Sequence, residues 1–246
     1  MNRSGLILGL SASLLATTGW SGTMGVAPPV WRSVSALSVG PVWGHGGETQ
    51  TFYLAPEIEK TYVAKKSNGT LVDGELFFGA QRDYSTFQGQ LGLAVAATSN
   101  ATLSGIIWDD ADPQFDNFIY RYKIQHTHIA LKGKLLADQG YWLIPWVSGS
   151  VGVGFNTAHA FKDVPLIFEA LTTPYFHSHT KTAFTYTLGA GVQKPVTQNW
   201  QVGVGYEFAD WGASRLGRAA GQTLNSGLGA SHFYTNGVMF NLTYVV

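Results

Sequence analysis

The sequence predicts an all-β protein: an up-and-down, antiparallel transmembrane β-barrel of about eight strands behind an N-terminal signal peptide. Three observations lead there. Apolar and polar residues alternate with period two along nearly all of the chain after the leader, with Gly, Asn and Asp between the segments. The gaps between segments alternate between short and long. The face opposite the apolar one is small and neutral, not charged.

The leader comes first. Arg3 supplies a positive start, and Leu6 through Ala16 form an apolar stretch too short to span a bilayer. Gly19-Trp20-Ser21 then puts small residues where a signal peptidase reads, so residues 1–21 are expected to be removed near Ser21/Gly22. Residues 22–32 form a short lead-in, and residues 33–246 the barrel. Composition narrows the class. Lys+Arg and Asp+Glu are 15 each, and losing the leader removes only Arg3, so the balance becomes 14 − 15 = −1. A neutral chain is not built to bind nucleic acid. Zero Cys excludes disulfide frameworks, thiol nucleophiles and Cys-type zinc sites. Charged residues are only 12%, about half the ~25% usual in soluble proteins. Past residue 21 no apolar run reaches the ~20 residues a spanning helix needs.

Strands are expected near 34–43, 71–82, 87–108, 118–135, 141–157, 181–194, 200–210 and 233–246. Residues 184–193 show the pattern well: Phe184, Tyr186 and Leu188 share a face with Ala190 and Val192, against Thr185, Thr187, Gly189, Gly191 and Gln193. Val202, Val204 and Tyr206 repeat it, as do Phe240, Leu242 and Tyr244. The long gaps, about 44–70, 109–117, 158–180 and 211–232, fall on one rim and the tight turns on the other, as in outer-membrane barrels. A soluble barrel would put Lys, Glu and Asp on its exterior. Here the polar face is Gly, Ser, Thr and Gln, which suits a narrow lumen, so the apolar face is expected to meet lipid. Aromatics at the strand ends suggest two interfacial belts: Tyr84, Phe87, Tyr141, Trp142 and Trp200 on the turn side; Trp43, Trp108, Phe118, Tyr120, Trp211 and Tyr234 on the loop side. Thr51 to Tyr62 is too apolar for a loose loop and is expected to form a hairpin beyond the membrane.

These features resemble the small eight-stranded outer-membrane barrels of Gram-negative bacteria, the opacity-protein-like and outer-membrane-protein-A-like group, over roughly residues 33–246. Thr235, Gly237, Phe240 and Leu242 in the last strand look like that group's assembly signal, although the chain ends Tyr244-Val245-Val246 where the group usually ends on Phe or Trp. The resemblance implies an integral outer-membrane protein, inserted by the barrel-assembly machinery and surrounded by outer-membrane lipids and lipopolysaccharide. Function in that group lies in the loops.

Individual candidates are weighed on their chemistry. Gly152-Val153-Gly154 and Gly203-Val204-Gly205 lack a following helix and read as Gly in a crowded lumen, not as nucleotide loops. His126 and His128 share a strand face as a metal pair would, but lack a firm third ligand. If Tyr120, Tyr122 and Ile124 face lipid, the two imidazoles fall on the outer side, and a bulge would turn them inward. His177 and His179 read as solvated loop residues. Asp109, Asp110, Asp112 and Asp116 read as a solvated acidic loop, with divalent-bridged contact to lipopolysaccharide phosphates as a looser alternative. Glu75, Arg121, Lys123 and Glu207 are expected to form a lumen charge network, since buried charges must pair. His45, His232, Asp73, Asp210 and many serines contain the parts of a hydrolase, but spacing cannot assemble them. The expectation is therefore a monomeric structural or surface-interaction protein, an adhesin or porin-like antigen. It would act through four extracellular loops on a host or envelope partner, with no cofactor, metal or catalytic residue. A channel or transporter for small or hydrophobic molecules is the alternative, and a lipid-modifying enzyme is less favoured.

Overall fold

The computed structural model describes residues 31–170 and 175–246. The expected leader and residues 22–30 of the lead-in lie outside the described residues. No helix among the described residues is long and apolar enough to cross a membrane. Thirteen strands are described: β1 (Trp31–Gly46), β2 (Gln50–Ala55), β3 (Ile58–Ala64), β4 (Ser67–Tyr84), β5 (Phe87–Thr98), β6 (Ala101–Asp109), β7 (Phe118–Ala137), β8 (Ile144–Pro165), β9 (His179–Pro195), β10 (Trp200–Asp210), β11 (Ser214–Arg215), β12 (Gly229–Ala230) and β13 (Phe233–Val245).

Eight of them close a ring. β1 pairs with β4, β4 with β5, β5 with β7, β7 with β8, β8 with β9, β9 with β10 and β10 with β13, which returns to β1, every pair antiparallel. Closure matters because hydrocarbon offers no partner for a free N–H or C=O. β4 and β5 are joined by two residues, β9 and β10 by four, while the opposite rim carries the long connections. The segment expected as one strand over 87–108 is β5 and β6, separated at Ser99 and Asn100. Ser99 stays in the wall: its N–H donates to the Val72 carbonyl (2.8 Å), and its Oγ accepts from the Val72 N–H (2.9 Å). Beyond that point β6 leaves β4 behind. It pairs with β3 on one side and the first part of β7 on the other, and β2 and β3 form the expected hairpin.

Around the ring the exterior is apolar. Leu76, Leu93, Leu131, Val151, Leu188 and Phe240 each keep 47–59% of their surface exposed while their strand neighbours are buried or half-buried. Such a continuous apolar surface is far larger than the patches soluble monomers tolerate. With a polar interior, it makes the ring a membrane-spanning barrel.

The pleat changes character along β7. Its even-numbered residues face inward throughout. From His126 to Lys132 they are polar or small, but Phe118, Tyr120, Tyr122 and Ile124 are apolar and fully buried. The outward side changes in step, from Arg121, Lys123 and Gln125 to Ile129, Leu131 and Leu135. The inversion near residue 125 marks where wall in lipid becomes wall in water. This corrects two expectations. Tyr120, Tyr122 and Ile124 face inward, not toward lipid, and Arg121 and Lys123 lie outside and exposed, not in the lumen. The loop-side aromatic belt is also smaller than expected, because Phe118, Tyr120 and Trp211 are buried in the interior. Trp43 and Tyr234 remain exposed there, and Tyr84, Phe87, Tyr141, Trp142 and Trp200 are exposed on the turn side.

Candidate functional site

The lumen is filled by layers. Nearest the tight turns, Gln90 Nε2 donates to Gln81 Oε1 (2.8 Å) and Lys134 Nζ to Gln193 Oε1 (2.6 Å), with the Lys134 ammonium 4.4 Å from the centre of the Trp146 ring. The Trp146 indole lies in a notch of glycines. A Cβ on Gly191 or Gly205 would come within 2.6 Å and 2.3 Å of its ring. In the next layer Lys132 Nζ donates to Glu75 Oε1 (2.6 Å) and Glu207 Oε2 (3.0 Å), binding strands that are not neighbours. All three side chains are nearly or wholly buried. Glu75 and Glu207 therefore occupy the lumen with Lys132, a residue not expected there, in place of Arg121 and Lys123. The cavity beside this triad, bounded by Ser38, Ser148 and Met239, holds about 30 Å³. That is room for one or two waters.

Above the triad a hydrogen-bond chain spans the barrel. Asn156 Nδ2 donates to the carbonyls of Trp211 (2.8 Å) and Ala213 (2.9 Å), which leaves its Oδ1 to accept from His126 Nδ1 at 2.6 Å. His126 Nε2 is then an acceptor, and His128 Nδ1 donates to it at 3.0 Å. The His126 ring stacks on Trp211 (4.6 Å, 5°), and Trp211 stacks on Phe233 (4.6 Å). His126 and His128 thus point inward without a bulge. Among the described residues no three His, Asp or Glu side chains are placed to share a metal.

Outside the membrane the extended wall encloses a second, aromatic core. Phe52 stacks on Tyr62 (5.2 Å), and Tyr62 meets Tyr120 and Phe176 edge-on at 5.6 Å each. Phe161 joins it because β8 bulges at Ala160 (φ 56°), which shifts the pleat by one and turns Phe161 and Asp163 inward after Ala158. Burial, with the nearby Asp163 adding to it, raises the pKa of the Tyr62 hydroxyl above the usual phenol range. The acidic loop is tied to this extension: Asp109 accepts from Lys60 Nζ (2.5 Å) and Asn117 Nδ2 (2.8 Å), and Asp112 accepts from the Gln114 N–H (2.9 Å).

Loop 211–232 is sewn onto the hairpin. Tyr53 N–H donates to Asn225 Oδ1 (2.9 Å), Thr223 N–H to the Leu54 carbonyl (3.0 Å), and Gly229 N–H to Gln50 Oε1 (3.1 Å). Glu48 Oε1 accepts from the Ser231 N–H (2.9 Å) and hydroxyl. Leu216 and Leu228 anchor the loop in the aromatic core. Between loop and hairpin opens a cleft of about 500 Å³, bordered by Gln50, Lys181, Ser214, Arg215 and Ser226. Sequence reasoning missed this cleft. The available signal was three leucines in a Gly- and Ser-rich loop, of which Leu216 and Leu228 are buried.

Of the hydrolase parts among the described residues, the fold joins Asp210 and His232, whose Nδ1 lies 2.9 Å from Asp210 Oδ2. Tyr234 stacks on that imidazole (5.6 Å, 1°), and among the described residues no hydroxyl hydrogen-bonds it. Asp73 is buried in the lumen, and His45 is exposed opposite Tyr234. His177 and His179 are exposed. In β13, Thr235 and Gly237 face in, and Phe240 and Leu242 face out.

No family profile and no curated protein matches the chain. Several solved structures share its layout. Neisserial surface protein A is 10% identical, over 87% of this chain and 96% of that one, with a TM-score of 0.41. The outer membrane protease OmpT from Escherichia coli is 11% identical, over 91% and 99%, with a TM-score of 0.47. Ail, the attachment invasion locus protein of Yersinia pestis, is 11% identical, over 87% and 99%, with a TM-score of 0.37. These likenesses concern the fold alone. On its own strand pairings, the chain is an eight-stranded antiparallel β-barrel of the outer-membrane type.

Proposed function

We propose that the chain sits as a monomer in a Gram-negative outer membrane and works as a surface-recognition protein, with a closed barrel holding a rigid extracellular platform. The observation that carries this reading is the filled lumen. The Lys132 triad, the Trp146 notch and the His126–Asn156–Trp211 layer occupy the mid-barrel, and the cavity beside the triad is water-sized. Such packing favours a closed barrel over a wide solute path. The platform, by contrast, has its own core and its loops are fixed by hydrogen bonds, so a partner would meet a preformed surface. Lipopolysaccharide and outer-membrane lipids would surround the apolar band. The barrel-assembly machinery would read β13 through Thr235, Gly237, Phe240 and Leu242.

Because the chain has no Cys, a single Ser226→Cys substitution gives a clean test. Intact cells should label with a membrane-impermeant maleimide, and the purified protein should give no current steps in planar bilayers. Resolved steps of open-pore size, or labelling only after cell lysis, would contradict the proposal.

A further inference from the structure

The cleft between hairpin and loop 211–232 carries more chemistry than surface filling needs. Three features converge on it. First, Lys181 and Arg215 both border it and are half-buried, yet among the described residues neither side chain has a hydrogen-bond or carboxylate partner. A half-buried cation loses hydration without compensation unless an anion arrives. Glu48, the acid of the cleft, is already engaged by the Ser231 N–H and hydroxyl. Second, Ser214 is 2% exposed and its hydroxyl has no partner, although it borders the same cleft. A buried hydroxyl with no bond is costly, so a ligand that supplies one gains specificity from it. Third, the lining adds amides and hydroxyls (Gln50, Thr51, Asn225, Ser226) between small residues such as Ala213 and Ala230, with the edge of the largely buried Phe52 as its one aromatic member. The volume of about 500 Å³ suits a mono- or disaccharide.

We propose that this cleft binds an anionic saccharide. A phosphate, sulfate or carboxylate of the sugar lies between Lys181 and Arg215, and a sugar hydroxyl bonds Ser214. Two sources carry this chemistry: the phosphorylated core of lipopolysaccharide in the same membrane, and free acidic glycans outside the cell. The proposal rests on the surface-recognition reading and names its ligand class.

Titration calorimetry on the purified barrel in lipopolysaccharide-free detergent micelles tests it, with sulfated lactose, unmodified lactose, de-acylated phosphorylated lipopolysaccharide core and inorganic sulfate as probes. At least one charged sugar should bind saturably, with lactose and inorganic sulfate each about tenfold weaker or worse. Whichever charged sugar binds tighter identifies the source. Lys181→Ala and Arg215→Ala should each weaken binding about tenfold without moving the melting temperature, and Lys181→Arg should retain it. Ser214→Ala should weaken the sugar but not inorganic sulfate. Failure of both charged sugars to bind, equal binding of inorganic sulfate, or unchanged affinity in both alanine variants would overturn the assignment. These failures are distinct from failure of the parent reading, which bilayer conductance decides whatever the cleft holds.

Discussion

Two carboxylates facing each other across a narrow lumen repel unless a cation stands between them. Lys132 is that cation for Glu75 and Glu207. Removing one partner of a buried pair costs far more than removing all of them, because it strands the others. Lys132→Met should therefore destabilise the barrel by about 3–5 kcal/mol, measured by denaturant unfolding in micelles, and adding Glu75→Gln and Glu207→Gln should recover most of that loss. Arg121→Ala and Lys123→Ala, on exposed wall, should each stay within about 0.5 kcal/mol. Parity along β4 and β10 made both glutamates legible in the sequence. Their cation was not, because the facing of β7 was inferred from Tyr120, Tyr122 and Ile124, which are apolar for a different reason. Hydrophobicity reports burial, and above the membrane burial lies inside the wall.

At the scale of the strand, the same alternation encodes two opposite arrangements. β7 and β8 run through lipid with grease outside and then through water with grease inside, and stay paired to each other throughout. One bulge at Ala160 supplies the phase change that brings Phe161 into the aromatic core. Glycine placement follows packing too: Gly191 and Gly205 make room for Trp146. Gly205→Ala should cost about 1–3 kcal/mol through overpacking. Gly74→Ala, whose Cβ would meet nothing nearer than 4.0 Å, should stay within about 0.5 kcal/mol. Both are read from unfolding midpoints. The extension makes a pH prediction. Tyr62 is held neutral in the folded state beyond the pH at which an unfolded tyrosine ionises, about pH 10. Its contribution is complete below that pH and declines as pH rises above it. Amide exchange in β2 and β3 should accelerate above pH 10 beyond the intrinsic base-catalysed rise, and Tyr62→Phe should remove the excess. The hairpin was legible from its apolar run, whereas its docking to loop 211–232 depends on contacts such as Thr223 to Leu54, which no local pattern announces.

For the whole molecule, strand number, order and facing in the membrane zone follow from period-two alternation and gap lengths, because lipid imposes one rule on every strand. The rim cleft obeys no such rule. It exists because distant segments meet, so Lys181, Ser214 and Arg215 carry no shared signature in the sequence. The facing rule predicts that Val204→Arg costs about 2–4 kcal/mol if that position lies near the bilayer midplane, while Gln201→Arg, facing the lumen, costs much less. The most direct test uses the absence of native Cys. Spin labels placed singly at Leu188, Val202 and Val204, and at Thr187 and Gln201, are measured in lipid bilayers for collisions with oxygen and with a water-soluble nickel complex. The account predicts high oxygen and low nickel access at the first three positions, and low oxygen access at the other two. Equal profiles at both sets, or lipid access at Thr187 and Gln201, would contradict a barrel whose apolar face meets the membrane.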